Sequence, residues 1–182
     1  MAANAIRIIG GQWRGRKLQF PDVPALRPTP DRVRETLFNW LGQDLTGRTT
    51  LDPFAGSGAL SFEALSRGAA LAVAVDRDRA LVRALVAMAE KLGTRALEAH
   101  CAEAQSFVLR DARCYDVIFL DPPFAAYHWA QLLPVAAARL AQGGCLYVEA
   151  PEPIAAPPGL TIWRSDKAGQ VHYHLLRHAG SI

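Results

Sequence analysis

The sequence predicts an α/β protein: a doubly wound, mostly parallel sheet that closes with an antiparallel hairpin and begins with a small β-hairpin extension. Three observations carry this. From residue 49 onward, short continuous apolar runs alternate with longer helical patterns, as expected of parallel strands covered on both faces. The alternation stops at residues 150–159, where Pro151, Pro153, Pro157 and Pro158 exclude another long helix and two further strands follow. Near the start, two β-prone arms flank Gly10–Gly11 and Gly15.

Residues 6–20, IRIIGGQWRGRKLQF, predict that first hairpin, and residues 21–30 form a proline-rich connector. Asp31 is placed to N-cap a helix running to about Leu41, with Val33, Leu37, Trp40 and Leu41 on one stripe and Arg32 and Arg34 off it. Thr49–Phe54 reads as a strand, Ala55–Gly58 as a turn, and the following helix runs to about Arg67. Leu71–Val75 is a second strand ending at Asp76, with a helix over Arg77–Leu92. Ala96–Ala99 is a weak third strand before a helix near Glu103–Leu109. Tyr115–Leu120 is a strongly apolar fourth strand running into Asp121-Pro122-Pro123-Phe124. A helix over Trp129–Ala141 and the pair Gly143–Gly144 lead into the strand Cys145–Glu149. Strands over Leu160–Arg164 and Val171–Leu176 flank the turn-prone Asp166–Gly169. Residues 1–30 are thus expected to be a basic extension, and 31–182 the main domain.

Composition bounds the function. The chain has 182 residues, 51% hydrophobic and 20% charged, enough to bury a sizeable core and too apolar for a disordered chain. No apolar run is long enough to cross a bilayer, and Met1–Arg14 lacks a signal-peptide core, so a cytoplasmic protein is expected. Cys101, Cys114 and Cys145 are odd in number and form no CxxC pair, which predicts buried, reduced thiols. His172 and His174 share a strand face without a third ligand, so no metal site is expected. The net charge of +3 is unevenly spread: residues 1–40 hold seven Lys/Arg against three acids, and the rest is nearly neutral. A polyanion-binding arm on a neutral catalytic body would have this distribution.

The chemistry gathers at the strand ends. In an open α/β sheet, ligands bind beyond the carboxyl ends of the strands at the topological switch point. Asp52, Asp76, Glu103 and Asp121 fall at or just after four successive strands and are expected to converge on one crevice. Singly, each would be read as a helix cap. Gly56, Ser57 and Gly58, after Phe54, let the backbone pass close to a bound molecule, and Asp76 about 20 residues on suits a ribose diol. This Rossmann-like turn is compatible with NAD or with S-adenosylmethionine. Asp121-Pro122-Pro123-Phe124 separates the two: Pro122 and Pro123 lack backbone N–H donors, leaving a cluster of acceptors beside an aromatic face. A planar ring bearing an exocyclic amine fits there, and hydride transfer needs no such site.

At this point Asp-Pro-Pro-Phe is similar to the motif of class I methyltransferases that act on exocyclic amines. More broadly, the chain resembles the RsmD family, the bacterial 16S rRNA guanine-N2 methyltransferases. The matching stretches are IRIIGGQWRGRKL at 6–18, LRPTPDRVRETLFNWL at 26–41, LDPFAGSGALSFEALSRGA at 51–69, DPPF at 121–124 and GQVHYHLL at 169–176. Pro30, Pro53 and the compact 150–159 segment depart from the expected pattern. The resemblance implies S-adenosylmethionine as methyl donor. It further implies, as acceptor, a guanine of 16S rRNA in an assembling small ribosomal subunit, and a monomeric enzyme. It places Gly56, Ser57 and Gly58 along the donor's amino-acid and ribose portions, Asp76 at the ribose hydroxyls, Glu103 and Ala104 at the adenine, and Asp52 at the methionine amine. Asp121 and Pro122 would accept from guanine N2, and Phe124 would stack on the extruded base. Arg7, Arg14, Arg16, Lys17, Arg27, Arg32 and Arg34 would track phosphates, although Arg32 or Arg34 could instead pair with an acid. Trp13 would stack on a base or fold into the core.

Other functions explain less of the chain. A DNA adenine-N6 methyltransferase would share the Pro-Pro chemistry, but no separate sequence-reading domain is evident. An NAD-linked oxidoreductase leaves Asp121–Phe124 and the basic arm unexplained. A noncatalytic RNA-binding module does not need the strand-end acids. A cytosine-C5 methyltransferase needs a nucleophilic cysteine in a motif loop, and none of the three is in one.

Overall fold

In the computed structural model, residues 4–24, 26, 29–123 and 129–180 are described. The N-terminal hairpin pairs β1 (Asn4–Arg7) with β2 (Lys17–Phe20), Asn4 opposite Phe20 and Arg7 opposite Lys17. After the connector come α1 (Asp31–Leu41), β3 (Thr49–Asp52), α2 (Ala59–Ser66), β4 (Leu71–Asp76) and α3 (Arg79–Leu92). Then follow β5 (Leu97–Cys101), α4 (Ala104–Arg110), β6 (Tyr115–Leu120), α5 (Trp129–Ala137), β7 (Leu140–Ala150), β8 (Leu160–Ala168) and β9 (Val171–His178).

The main sheet has seven strands in the order β5-β4-β3-β6-β7-β9-β8. β3, β4, β5, β6 and β7 pair in parallel, and β9 then runs antiparallel to both β7 and β8. The chain moves outward from β3 to β5, then returns to lay β6 on β3's other side, so the switch point lies between β3 and β6. Alternation along each strand sorts two cores. Val117, Phe119, Tyr147, Tyr173 and Leu175 pack against α1, α2 and α3. Ile118, Leu120, Leu146, Val148 and Leu176 pack against α4 and α5. Ile8 and Leu18, from the hairpin and the loop it carries, belong to the first of these cores, with Leu37 and Phe38.

Several expectations shift. Asp31 is the first helical residue rather than the cap: Pro30 precedes the helix and no side chain caps it. The helix after β4 starts at Arg79, because the Asp78 carboxylate accepts from the N–H groups of Ala80 and Leu81. α5 ends at Ala137 rather than Ala141, since the Tyr115 N–H donates to the Arg139 carbonyl and draws the chain into β7 at Leu140. Gly143 (φ 76°) and Gly144 lie within β7, where the pairing slips from Tyr115–Leu140 to Val117–Cys145. The final hairpin turns at Gly169–Gln170, not over Asp166–Gly169, with Ala168 opposite Val171. The cysteines are free as expected but not buried: Cys101 and Cys114 are exposed and Cys145 half-buried. Cys101 ends the edge strand β5 and Cys114 precedes β6, where neither core reaches.

Candidate active site

The carboxyl ends of the strands open into a cleft of about 520 Å³. Asp52, Phe54, Gly56, Ser57, Asp76, Ala104, Asp121, Pro122 and Pro123 all line it, so most of the expected catalytic and cofactor-binding residues meet in one place. The register explains this. Asp52 pairs with Ala74, which places Asp76 one side-chain repeat further out on the neighbouring strand. Leu120 pairs with Val148, so the next residues, Asp121 and Glu149, stand side by side.

The turn after β3 is held by the acid that ends β4. The Asp76 carboxylate accepts from the N–H of Gly56 at 2.9 Å and from that of Asp78 at 2.9 Å. Gly56 has φ 52°, and a Cβ there would come within 2.8 Å of Leu26, which the connector lays over the cleft. Gly58 does not line the cleft: its φ is 79°, and a Cβ would meet Leu85 at 2.5 Å and the Phe62 ring at 2.8 Å, so its task is packing. Glu103 also lies off the lining. Its carboxylate accepts from Gln105 N–H at 3.0 Å and Ser106 N–H at 2.7 Å as the cap of α4, and Ala102 and Ala104 face the cleft beside it.

Deeper in, Asp52 is 2% exposed and accepts a hydrogen bond from Ser61 Oγ at 3.0 Å. Burial pushes its pKa up to about 7 against the pull of that bond, with Asp76 and Glu149 adding repulsion. The Asp121 carboxylate accepts from Thr29 Oγ1 at 3.3 Å and lies next to the Glu149 carboxyl in the β6–β7 register. Burial and the charges of Glu149 and Asp52 hold its pKa well above the usual carboxylate range. Glu149, 4% exposed, accepts from the Tyr147 hydroxyl at 2.8 Å, and burial raises its pKa too. Among the described residues, no Lys, Arg or His forms an ion pair with Asp52, Asp121 or Glu149. Glu149, Ser61 and Thr29 are contributions the sequence reading missed. Glu149 was open to detection by the strand-end rule that found the others, since it ends the strand expected over Cys145–Glu149.

The basic extension is only partly as expected. Arg7, Arg14, Arg16, Lys17 and Arg32 are exposed, Arg7 within 3.8 Å of Asp31. Arg34 is withdrawn from any RNA surface: fully buried, it donates from Nη1 to Glu63 Oε2 at 3.3 Å and from Nη2 to Asp31 at 2.5 Å. Further Arg34 bonds run to the carbonyls of Thr29 and Arg7. Trp13 is half-buried against the first core, its backbone N–H donating to Ser66 Oγ at 2.9 Å. Arg27 and Phe124 lie outside the described residues.

Glu63, itself fully buried, anchors the extension. It accepts from the N–H groups of Ile9 and Gly10 at 2.9 and 2.8 Å, and from both Arg34 and Arg67. No helix is long and apolar enough to cross a membrane, and no cluster of His, Cys, Asp or Glu fit for a metal occurs among the described residues.

Comparison with known proteins shows what the chain as a whole is similar to. A family model described as Conserved hypothetical protein 95 matches residues 6–177. The chain is 43% identical to "Ribosomal RNA small subunit methyltransferase D" of Escherichia coli K12, over 95% of this chain and 90% of that one. A protein of the same name in Haemophilus influenzae is 35% identical, over 97% and 96%. The solved structure of yhhF from Escherichia coli superposes with a TM-score of 0.87 at 40% identity, covering 98% of this chain and all of that one.

Proposed function

The chain belongs to the family described as Conserved hypothetical protein 95, the RsmD family that its motifs resemble, and from that premise we propose that it methylates small-subunit rRNA from S-adenosylmethionine. In this proposal the acceptor is the exocyclic N2 of one guanine in 16S rRNA within an assembling particle, and the enzyme works as a cytoplasmic monomer. The observation that supports it most is the placement of Asp121, Pro122 and Pro123 in the same cleft as Asp76 and the Gly56 turn.

The cleft suits the donor. Its volume lies in the range of small-molecule sites. Asp76 would take the ribose hydroxyls, Ala102 and Ala104 would border the adenine, and Asp52, anionic above about pH 7, would face the methionine ammonium. Bound S-adenosylmethionine supplies a methyl carbon on a sulfonium leaving group. The chain's own work is therefore positioning and desolvation rather than activation of a leaving group. Guanine N2 is a poor nucleophile because its lone pair is delocalised into the ring. Acceptance of its N–H groups by Asp121 and the Pro122 carbonyl favours pyramidal nitrogen and offsets the positive charge that develops there. Arg7, Arg14, Arg16, Lys17 and Arg32 would hold the phosphates.

Asp121→Ala tests this assignment. Methyl transfer should vanish, while calorimetry with S-adenosylhomocysteine should give an affinity close to wild type and no binding of NADH. Equal loss of methylation and cofactor affinity would remove the acceptor role from Asp121, and stabilisation by NADH would overturn the methyltransferase reading.

A further inference from the structure

Glu149 lines the cleft, yet the reaction as described gives it no task. It is 4% exposed, sits beside Asp121 in the register of β6 and β7, and lines the same cleft as Asp121. Two carboxyls set side by side in a cleft favour sharing a proton, because two adjacent anions repel and neither can donate to the other. The Tyr147 hydroxyl donates to Glu149 at 2.8 Å, and the Thr29 hydroxyl, which donates to Asp121 at 3.3 Å, also interacts with Glu149. Among the described residues no cation pairs with either carboxyl, and Arg77 lines the same cleft without pairing with them. Asp52 at the end of β3 adds negative charge, with Asp76 beyond it on β4, and Tyr173 on β9 stands opposite Glu149. Both carboxyls are accordingly held above their ordinary titration range, burial being the main cause.

We propose that Glu149 is a positioning residue for Asp121: the two carboxyls share one proton, so that the pair carries a single negative charge and keeps an Asp121 oxygen free to accept from the substrate amine. The inference rests on the methyltransferase reading above. As the N–C bond forms, the C–S bond breaks and its electron pair goes to sulfur. The nitrogen, now cationic, gives one proton to the pair. The pair passes from one proton and one negative charge to two protons and none, then returns that proton to solvent after the product leaves. Glu149 thus gives Asp121 a place to put the second proton without leaving a bare dianion in the cleft beforehand.

The test is a carboxyl ¹³C NMR titration of the wild type and of Glu149→Gln and Tyr147→Phe, with single-turnover methylation alongside. Asp52 is identified in the spectra by Asp52→Asn. In the wild type the Asp121 and Glu149 carbons should move together, in two steps at least about two pH units apart. Glu149→Gln should leave one Asp121 step, below the upper of the two. Its turnover should fall at least about tenfold, with RNA KM and S-adenosylhomocysteine affinity within about threefold of wild type. Tyr147→Phe should narrow the separation and lower turnover less. Independent single steps for the two carbons, or wild-type turnover in Glu149→Gln at every pH, would overturn the proposal. The titration needs neither RNA nor methyl donor, so failure of methylation would count against the proposed function and leave this test standing.

Discussion

At the scale of single residues, the decisive groups are acids whose charge the fold makes costly. Asp52 is 2% exposed, with a pKa raised from 3.8 to about 7. Between those values the unfolded chain has lost this proton and the folded chain keeps it, so the group's contribution to stability falls as pH rises, by at most about 1.4 kcal/mol per pH unit. Chemical denaturation of the ligand-free protein between pH 4 and 7 should follow this decline, and Asp52→Asn should flatten it. An unchanged slope in the variant would place the origin elsewhere.

Arg34 makes the complementary case. Charge and spacing grouped it with the exposed arginines, because Glu63, its partner, lies 29 residues away inside an apolar helix. The legible signal was Glu63 itself: a carboxylate in a run as apolar as ALSFEALS needs partners inside the protein. Arg34→Ala should destabilise by about 3–5 kcal/mol in denaturant titration, leaving Glu63 buried with Arg67 as its remaining guanidinium partner. Arg16→Ala, at an exposed position, should leave the midpoint unchanged.

At the scale of elements, β6 was fully legible because Val117–Leu120 is a continuous apolar run that ends in Asp-Pro-Pro, and both faces of that strand are indeed covered. Helix starts were less legible. Asp31 and Asp78 both look like caps, but only Asp78 caps, since Arg34 takes the Asp31 carboxylate. The hairpin was found from its glycines, but its docking was not. The loop between β1 and β2 is stitched to the end of α2 by bonds from Gln12 N–H to the Ser66 carbonyl and from Ser66 Oγ to the Gly10 carbonyl. Gly11 permits this approach: its φ is 75°, and a Cβ would lie 1.9 Å from the Ser66 carbonyl oxygen. Gly11→Ala should cost about 2 kcal/mol or more in thermal or chemical denaturation, because backbone must move as well as bend. A neutral substitution would mean that the loop is not docked on α2.

At the scale of the whole molecule, topology turns scattered acids into one site. The parallel order puts every strand's carboxyl end on the same edge, and the switch between β3 and β6 opens that edge into a cleft. Strand-end spacing therefore located the site, while Ser61 and Thr29 needed the three-dimensional packing of α2 and the connector to come into reach. The exposed cations of the hairpin and its loop account for the charge asymmetry of the sequence. If Arg14 and Arg16 each meet a phosphate, neutralising both should reduce the slope of log K against log salt by nearly two in RNA-binding titrations. An unchanged slope would remove the loop from the interface.

The central claim is that this cleft brings a guanine amine to a methyl donor. The most direct measurement is incubation with labelled S-adenosylmethionine and undermethylated small ribosomal subunits, with free rRNA alongside, followed by digestion to nucleosides. Label in N2-methylguanosine at one position is the predicted result. Label in another nucleoside, or none despite tight S-adenosylhomocysteine binding, would contradict it.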